Sequence, residues 1–492
     1  MFSISRTAVS YPAFSAAILL GIGSLTPVHA QQYEVWLSDQ TNSAGVSAAA
    51  DTGTHGGFIR IYDKKDIVSG NPANNPLVID VAEWPNATGA NAARLHGMLP
   101  SPNHNYMNVN FVGSGHLAIV DGRTREPVAL FRSTGTTTGR QNHMSFWSPD
   151  GKYLLVSNQF GKLLERVNIS WDESGDNIVA AVWDAPATLD LVGGAGRITA
   201  QPVADSANYP IASVSGMVAD GQPTTTPNGL PKEAAGIRPN NTNICPIAVS
   251  NNRHVFVTMG GGGMFVVDYT TTPMAIVAEY DANVFPAAGC GGVEAGGYVH
   301  LNQGTSGPNQ SMFSVIRMPL DYPAAPSFNL PNDPPPVARY DDPDNFMVIH
   351  GNNRDAHGMV VSKHGRFLHQ FDRVRDNVEV FNVAGFPEIV NNFNLRDSGV
   401  CGTTLGATTS NKPTPDLLDI APEGNRMYVA LRGPFPLTVA HAAQGSCPGL
   451  GIIKVTEGGK QGELIGVLPT FHANHAADKN ISDPHAAAVR RK

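Results

Sequence analysis

The segment HMSFWSPDGKYLLVSNQFGKLLERVNI (143–169) contains three apolar runs separated by turn-forming residues. Its Ser-Pro-Asp-Gly tetrapeptide (148–151) combines residues that favour tight turns, and it stands between two runs of strand-forming side chains. A second break, Asn-Gln-Phe-Gly (158–161), precedes the third run. The segment therefore predicts a strand, a tight turn, a second strand, a loop and a third strand.

The same pattern recurs along the chain, and several copies add a fourth strand. The copies occupy residues 96–133, 245–280 and 357–393, a pair of segments at 416–433 and 451–468, and a degenerate segment at 290–319. Units of about 40–45 residues with four short antiparallel strands are typical of the blades of a β-propeller. The repeat therefore predicts an all-β propeller.

The two ends of the chain complete the repeat. Residues 33–40, 56–63 and 76–84 supply only three strands, whereas the C-terminal segment DPHAAAVRR (483–491) has the pattern of a lone first strand. If both ends share one blade, the total is seven blades, and no unpaired edge is left open. We therefore predict a seven-bladed β-propeller of four-stranded antiparallel blades, with the ring closed by N- and C-terminal strands in one blade.

Three segments carry a resemblance to a known family, namely SPDGKYLLVSNQ (148–159), HLAIVDGRTREPV (116–128) and GMFVVDYTTTPM (263–274). They resemble the YVTN-type seven-bladed β-propellers, a superfamily that includes lactonase-like and cytochrome nitrite reductase-like propellers. The resemblance extends over essentially the whole mature chain. It implies the fold but leaves the activity open, because unrelated activities occur on this scaffold.

The N-terminus is typical of a secretory signal peptide. Arg6 precedes the apolar run AFSAAILLGIGSL (13–25), and Val-His-Ala (28–30) fits a cleavage site. We predict a signal peptide at 1–30 and a single propeller domain at 31–492, located in the periplasm or secreted. The apolar run is too short for a membrane span.

The composition narrows the class of partner. The net charge is −8 and the chain has no basic run, which argues against nucleic acid as a partner. Only 15% of residues are charged, whereas 51 are Gly and 37 are Pro, as expected for many strands joined by many turns. A small molecule or a protein bound at the channel mouth is the partner that we expect.

Residues of metal-ligand type occupy one position of the repeat. In a propeller the first strand of each blade lines the central channel, so residues at its start approach one another at one mouth. The aligned copies place these residues there: His485, His96, His143, Cys245, Gly289 or Cys290, His357 and Asp416. We predict a metal site formed by His96, His143, His357, His485 and Asp416, with Cys245 and Cys290 as further candidates.

The donor types favour copper, with zinc or iron as less favoured alternatives, since imidazole and thiolate suit these ions better than calcium or magnesium. Two other interpretations stay open. Such histidines can simply hydrogen-bond neighbouring loops, or they can bind an anion when protonated. Asp355 and Asp483, each two residues before a ring histidine, are candidates to orient the imidazoles.

Four cysteines remain after signal removal, and an even number in an exported chain predicts two disulfides. Cys401 and Cys447 lie in loops expected on the same face, so we predict that they form one bridge. Cys245 and Cys290 begin neighbouring first strands. They can form the second bridge, or they can serve as thiolate ligands.

Long loops are predicted on the face that carries the histidines. They comprise residues 41–55, 186–243, 320–354, 396–415 and 434–450. Loops on a rigid scaffold commonly carry function. Further histidines in or beside these loops can extend the site, namely His55, His116, His350, His472 and His475.

These features support three hypotheses about function. The first is a metal-dependent enzyme, most plausibly a copper oxidoreductase that uses the ring histidines. The second is a non-catalytic propeller that binds a ligand or a protein. The third is a lactonase-like hydrolase whose acid and base belong to the same ring. The sequence assigns no catalytic residue among them.

Overall fold

β-Strands make up nearly all of the regular structure. The computed structural model describes residues 32–41, 56–69, 76–84, 92–135, 139–191, 208–209, 218–220, 243–287, 289–304, 311–323, 332–347, 353–439, 442–472 and 479–492. The helices among them are short: α1 (Lys64–Ser69) and the 3-10 helices Val81–Glu83, Ala185–Ala187 and Glu457–Gly459. The predicted signal peptide at 1–30 lies outside the described residues.

The strands form antiparallel sheets of four, labelled A to G in chain order. Sheet A contains β1 (Tyr33–Asp39), β2 (Phe58–Asp63) and β3 (Leu77–Asp80). Sheet B contains β4 (Leu95–Pro100), β5 (Tyr106–Phe111), β6 (His116–Asp121) and β7 (Pro127–Arg132). Sheet C contains β8 (Asn142–Trp147), β9 (Tyr153–Asn158), β10 (Leu163–Trp171) and β11 (Ile178–Trp183). Three short strands add to sheets B and C: β12 (Leu189–Asp190), β13 (Asn208–Tyr209) and β14 (Val218–Asp220).

The remaining sheets follow in the same way. Sheet D contains β15 (Asn243–Ala248), β16 (His254–Met259), β17 (Met264–Asp268) and β18 (Ala275–Tyr280). Sheet E contains β19 (Gly292–Ala295), β20 (Tyr298–Gly304), β21 (Phe313–Pro319) and β22 (Ala338–Asp341). Sheet F contains β23 (Ala356–Val361), β24 (Phe367–Asp372), β25 (Asn377–Asn382) and β26 (Ile389–Asn394). Sheet G contains β27 (Pro415–Ile420), β28 (Arg426–Leu431), β29 (Gly449–Thr456) and β30 (Gln461–Pro469).

The last strand, β31 (Pro484–Arg491), belongs to sheet A. It runs antiparallel to β1, with Val35 opposite Val489. β31 also forms one parallel pair with β27, between Leu417 and Ala486, which joins sheets A and G. Strands from the two ends of the chain thus share one four-stranded sheet.

The sheets pack face to face, and β6 shows why its sequence is apolar at successive positions. Leu117 and Ile119 point into a cluster shared with sheet C, whereas Ala118 and Val120 point into a cluster shared with sheet A. Successive side chains of a strand face opposite sides, so a sheet covered on both faces needs apolar residues on both. Burying each of the larger side chains stabilises the fold by roughly 1.5–3 kcal/mol.

The repeated serine has a structural role in the turn after each first strand. Ser148 accepts a hydrogen bond from the Tyr153 amide at 3.0 Å, and it donates to Asp150 at 2.7 Å. Ser101 and Ser362 accept from the amide five residues later at the same distance of 3.0 Å. These contacts fix the turn after the first strand, and the predicted strand–turn–strand pattern is confirmed in all three copies.

The predicted loops are described only in part, with 41–55 and 186–243 mostly outside the described residues. The loops at 396–415 and 434–450 are joined by the disulfide between Cys401 and Cys447, as predicted. Residues Gln32–Lys492 form one compact unit. No described helix is both long enough and apolar enough to cross a membrane.

Candidate metal centre

Five of the predicted ligands occupy the same position in their strands. His96, His143, His357, Asp416 and His485 are each the second residue of β4, β8, β23, β27 and β31, respectively. Cys245 is the third residue of β15, and Cys290 lies just before β19. The register that the sequence repeat predicted is therefore present for the four histidines and Asp416, whereas Cys245 stands one residue later in its strand.

A β-bulge accompanies this position in several first strands. In β4 the pairing passes from Leu95 to Met98 and skips His96 and Gly97, and β8, β23 and β27 skip their second and third residues in the same way. A bulge releases a residue from the ladder and re-aims its side chain. The bulges thus free the ligand side chains from ordinary strand geometry.

The His-Gly pairs in the sequence reflect the close approach of neighbouring strands. A side chain at Gly358 would begin 2.3 Å from the carbonyl oxygen of Asp416, and one at Gly97 would begin 2.0 Å from the Met144 sulfur. Glycine therefore follows His357 and His96 because the next first strand occupies the space that a Cβ atom would need.

The imidazole rings lie close together. The His96 ring stacks on the His485 ring with centroids 3.6 Å apart, and its centroid is 4.5 Å from that of His143. The centroids of His357 and His485 are 6.0 Å apart. Potential ligand atoms of His357, Asp416 and His485 all lie within 4.8 Å of one another. All of these residues are buried except His143, which is half-buried.

Asp416 uses its two oxygens for different partners. Oδ2 accepts a hydrogen bond from Nη1 of Arg432 at 2.5 Å, and Nη1 of Arg373 lies 3.8 Å from it. Oδ1 faces the histidines, 2.6 Å from Nδ1 of His357 and 3.8 Å from Nε2 of His485. The guanidinium groups therefore hold one oxygen, and the other oxygen remains directed at the imidazoles.

The aspartates expected to orient the imidazoles instead bind these arginines. Asp483 accepts from Nε and Nη2 of Arg432 at 2.7 and 2.9 Å, and also from the backbone amide of Leu437. Asp355 accepts from Nε of Arg373 at 2.7 Å. Both aspartates thus act on the cluster through the arginines that contact Asp416.

Gln40 supplies a contact that the sequence did not indicate. Its Nε2 lies 2.8 Å from Nδ1 of His96, so the amide orients this ring. The opposite nitrogen of His96, Nε2, is buried and has no hydrogen-bond partner among the described residues. Nδ1 of His485 has the same property. Buried polar atoms without partners are uncommon in folded proteins, and they are candidates for ligand contacts.

Burial keeps the imidazoles of His96, His143 and His485 neutral. It lowers the pKa of His143 to about 3, and it lowers the pKa of His485 well below its usual range. Burial also lowers the pKa of His96 well below its usual range, and the neighbouring imidazoles of His485 and His143 add to this effect because positive charges on adjacent rings would repel.

The pKa of Asp416 shifts in the direction that keeps its carboxyl group ionised. Burial by itself would raise its pKa, but His357, His485 and Arg432 outweigh burial and hold the pKa well below its usual range. At neutral pH the cluster therefore combines the uncharged imidazoles of His96, His143 and His485 with the carboxylate of Asp416. These are the protonation states that metal ions require of such ligands.

The second cysteine pair is also a disulfide, between Cys245 and Cys290, with Cα atoms 5.3 Å apart. Of the two alternatives for this pair, the structure therefore has the bridge. Sγ of Cys245 lies 3.9 Å from Nδ1 of His143. His143, Cys245 and Cys290 thus form a second group of possible ligands. His96 lies between this group and the group of His357, Asp416 and His485.

The other candidate histidines make different contacts. Nδ1 of His116 lies 2.8 Å from Oγ of Ser114, and the His472 ring packs on Phe58 at 5.3 Å. His55, His350 and His475 lie outside the described residues.

A cavity of about 210 Å³ is lined by residues of the same first strands, including Met98, Met144, Cys290, Met359 and Asp419. Two of its lining residues, Met98 and Met359, each lie two positions after a histidine of the cluster. Its lining is mainly apolar.

No protein-family model matches this sequence, and a comparison with curated proteins finds no match either. Solved structures do resemble it. The periplasmic gluconolactonase of Pseudomonas aeruginosa is 13% identical, with 89% of this chain and 98% of that chain covered and a TM-score of 0.45. A dihydro-heme d1 dehydrogenase is 10% identical, with 92% and 74% covered and a TM-score of 0.42.

A third structure is the β-propeller domain of Cps50 (Swd1) from Myceliophteria thermophila, at 13% identity, 68% and 93% coverage and a TM-score of 0.34. A lactonase and a propeller domain are thus among the solved structures that resemble this chain. Identities of this size carry no information about activity.

Proposed function

We propose that this protein is an exported seven-bladed β-propeller that binds a transition-metal ion at one mouth of its central channel. His357, His485 and Asp416 would hold the ion, and His96 would be a further donor. The observation that carries the proposal is the convergence of these buried side chains from four separate strands. Two of the imidazole nitrogens have no hydrogen-bond partner among the described residues.

Contacts between first strands support the seven-bladed ring. β31 contacts β4, β4 contacts β8, and β8 contacts β15. β19 contacts β23, β23 contacts β27, and β27 contacts β31. The disulfide between Cys245 and Cys290 links β15 to the start of β19. This order is what a closed ring of sheets A to G requires.

The donor set favours a transition metal over calcium or magnesium, which prefer oxygen ligands. Because Cys245 and Cys290 are bonded to each other, the donors are imidazole nitrogen and carboxylate oxygen. Copper(II) binds such sites most tightly among the common divalent ions, so copper is our first candidate, with zinc and iron as alternatives. A bound copper ion would supply one-electron redox chemistry, which would make the protein an oxidoreductase.

The protein's own residues would set the geometry of the ion. Arg432 occupies Oδ2 of Asp416, so Asp416 would bind through Oδ1 alone. Gln40 holds Nδ1 of His96 and leaves Nε2 as the free donor. The apolar cavity beside the cluster would keep bulk water away from one side of the ion.

Export is supported by the two disulfides, since cytosolic thiols are normally kept reduced. The signal peptide predicted at 1–30 would direct it. Amino-terminal sequencing of the protein recovered from the periplasm or medium tests this part, with Gln31 as the expected first residue.

Elemental analysis of protein purified without chelators tests the metal site. We expect about one equivalent of metal in the wild type and its loss in His357→Ala and His485→Ala. The matched control is His364→Ala, which lies in the exposed turn after the other end of β23. Saturation at about 100 times Kd should stabilise the wild type by about 2.7 kcal/mol, and the two variants should lose this gain.

Failure to bind copper, zinc or iron when each is added to the metal-free wild type would refute the proposal. Lactone hydrolysis that survives complete metal removal would favour the hydrolase hypothesis instead.

A further inference from the structure

We propose that His143, Cys245 and Cys290 form a second metal site, which takes a thiophilic ion when the disulfide between the two cysteines is reduced. The site would bind ions such as copper(I), zinc(II) or cadmium(II) through two thiolates and one imidazole. It is distinct from the group formed by His357, His485 and Asp416, and it does not depend on metal binding there.

The geometry matches the requirements of such an ion. One ligand atom from each of the three residues lies within 4.8 Å of the other two, and Sγ of Cys245 is 3.9 Å from Nδ1 of His143. Bonds of about 2.3 Å to sulfur and 2.0–2.1 Å to nitrogen place tetrahedral donors roughly 3.5–3.8 Å apart. The imidazole and the first sulfur are therefore already near their ligand separation.

Only the two sulfurs must move apart. Their separation would widen from about 2.0 Å in a disulfide to about 3.8 Å across an ion. The Cα atoms are 5.3 Å apart, with Cys245 in β15 and Cys290 two residues before the start of β19. Rotation of the two side chains can supply the movement.

Burial makes the site selective for soft ions. Cys245 is fully buried, and Cys290 is only 6% exposed and lines the channel cavity together with Met144. An ion that enters must lose its bound water, which costs free energy. Thiolate and imidazole donors offset this cost better for a soft ion than for magnesium or calcium. Cys290 lines the cavity and Cys245 does not, so Cys290 is the sulfur that a reductant would reach first.

The chemistry balances with an external dithiol. Its two thiols transfer two electrons and two protons to the disulfide, so the dithiol becomes a disulfide and Cys245 and Cys290 become thiols. Binding of the ion then releases the two thiol protons to solvent and forms two metal–sulfur bonds. Oxidation of the cysteines would expel the ion again, so uptake would follow the redox state.

The test uses Cys401→Ser/Cys447→Ser protein, in which the proposed site contains the remaining disulfide. After reduction with a phosphine and anaerobic removal of the reductant, we titrate cadmium and record the ultraviolet thiolate-to-cadmium charge-transfer band. We expect one equivalent with this band in the reduced protein and none in the oxidised protein. His143→Ala should weaken binding by at least about tenfold while two free thiols remain.

Two measurements keep the result decisive. If the Cys401→Ser/Cys447→Ser protein does not fold, the wild type is compared with Cys245→Ser/Cys290→Ser protein. Both are reduced under conditions that leave the Cys401–Cys447 disulfide intact, and the band should then appear only in the wild type. Cadmium held by imidazole and carboxylate at the first site gives no thiolate band, so the band itself separates this site from the first. Two titratable thiols per chain without a cadmium band would overturn the proposal.

Discussion

Asp416, at what we propose is the mouth of the channel, and Asp419, in the proposed channel interior, lie three residues apart on β27, yet the pKa values of their carboxyl groups shift in opposite directions. Burial acts on both. At the mouth, His357, His485 and Arg432 outweigh burial and lower the pKa of Asp416. In the interior, burial prevails and raises the pKa of Asp419 to about 6, although it accepts backbone hydrogen bonds from Val489 and Ile420.

The difference shows that the neighbouring groups, rather than burial alone, decide in which direction the pKa of a buried carboxyl group shifts. The interior needs only backbone donors to accommodate a carboxyl group. The mouth instead surrounds a carboxylate with guanidinium groups and neutral imidazoles. Buried ionised groups are costly unless they are paired, so the arginines are a condition for keeping a carboxylate at the mouth.

Of the changes that test this difference between Asp416 and Asp419, replacing Arg432 should have the largest effect on stability. Arg432→Met leaves Asp416 and Asp483 buried without their guanidinium partner, and breaking such a pair typically costs about 3–5 kcal/mol. We expect a loss of this size in the free energy of unfolding at pH 7, measured by chemical denaturation. Arg426→Met, at the opposite end of β28, is the matched control and should cost less than about 0.5 kcal/mol. A loss below about 1 kcal/mol for Arg432→Met would contradict the role assigned to the pair.

Neutralising Asp419 should produce a smaller effect that depends on pH. Its folded pKa of about 6 exceeds the usual 3.8, so its contribution to stability is fully present below about pH 4 and is lost as the pH rises through 6. Asp419→Asn removes this dependence. Between pH 4 and pH 7 the free energy of unfolding of the variant should therefore rise relative to that of the wild type, by at most about 3 kcal/mol. Parallel stability profiles for the two proteins over this range would show that Asp419 is not perturbed.

The sequence predicted the interior better than the mouth. Continuous apolar runs and the Ser-containing turns follow local rules, so strands such as β6 and β9 could be located from the chain alone. The histidine register followed from the same repeat. Cys401–Cys447 could be predicted from two loops on one face. Cys245–Cys290 could be proposed, as one of two alternatives, from the neighbouring first strands.

The partners of Asp416 could not be predicted in this way. Arg373 and Arg432 follow the second strands of sheets F and G, and their approach to a residue of another strand depends on how the sheets are arranged. Gln40 reaches His96 from sheet A for the same reason. Both arginines directly follow the last residue of a second strand. This shared position is visible in the sequence, but an arginine there does not indicate which residue it will contact. The contacts of Asp355 and Asp483 with these arginines could not be predicted either, because nearness along the chain does not determine which side chain faces which.

The smallest effect should come from a neutral residue at the mouth. Gln40→Leu removes the amide that holds Nδ1 of His96, and loss of such an orienting partner typically weakens metal binding by about 10–100-fold. Because His96 is one donor among several, we expect about tenfold, measured by competition with a chromophoric chelator. Asp419→Asn is the control, and although it removes a charge it should change the affinity by less than about threefold, since its carboxyl group faces the backbone of β31 rather than the imidazoles. An equal loss in the two variants would mean that long-range charge, and not ring orientation, governs the site, and it would remove the distinction between mouth and interior.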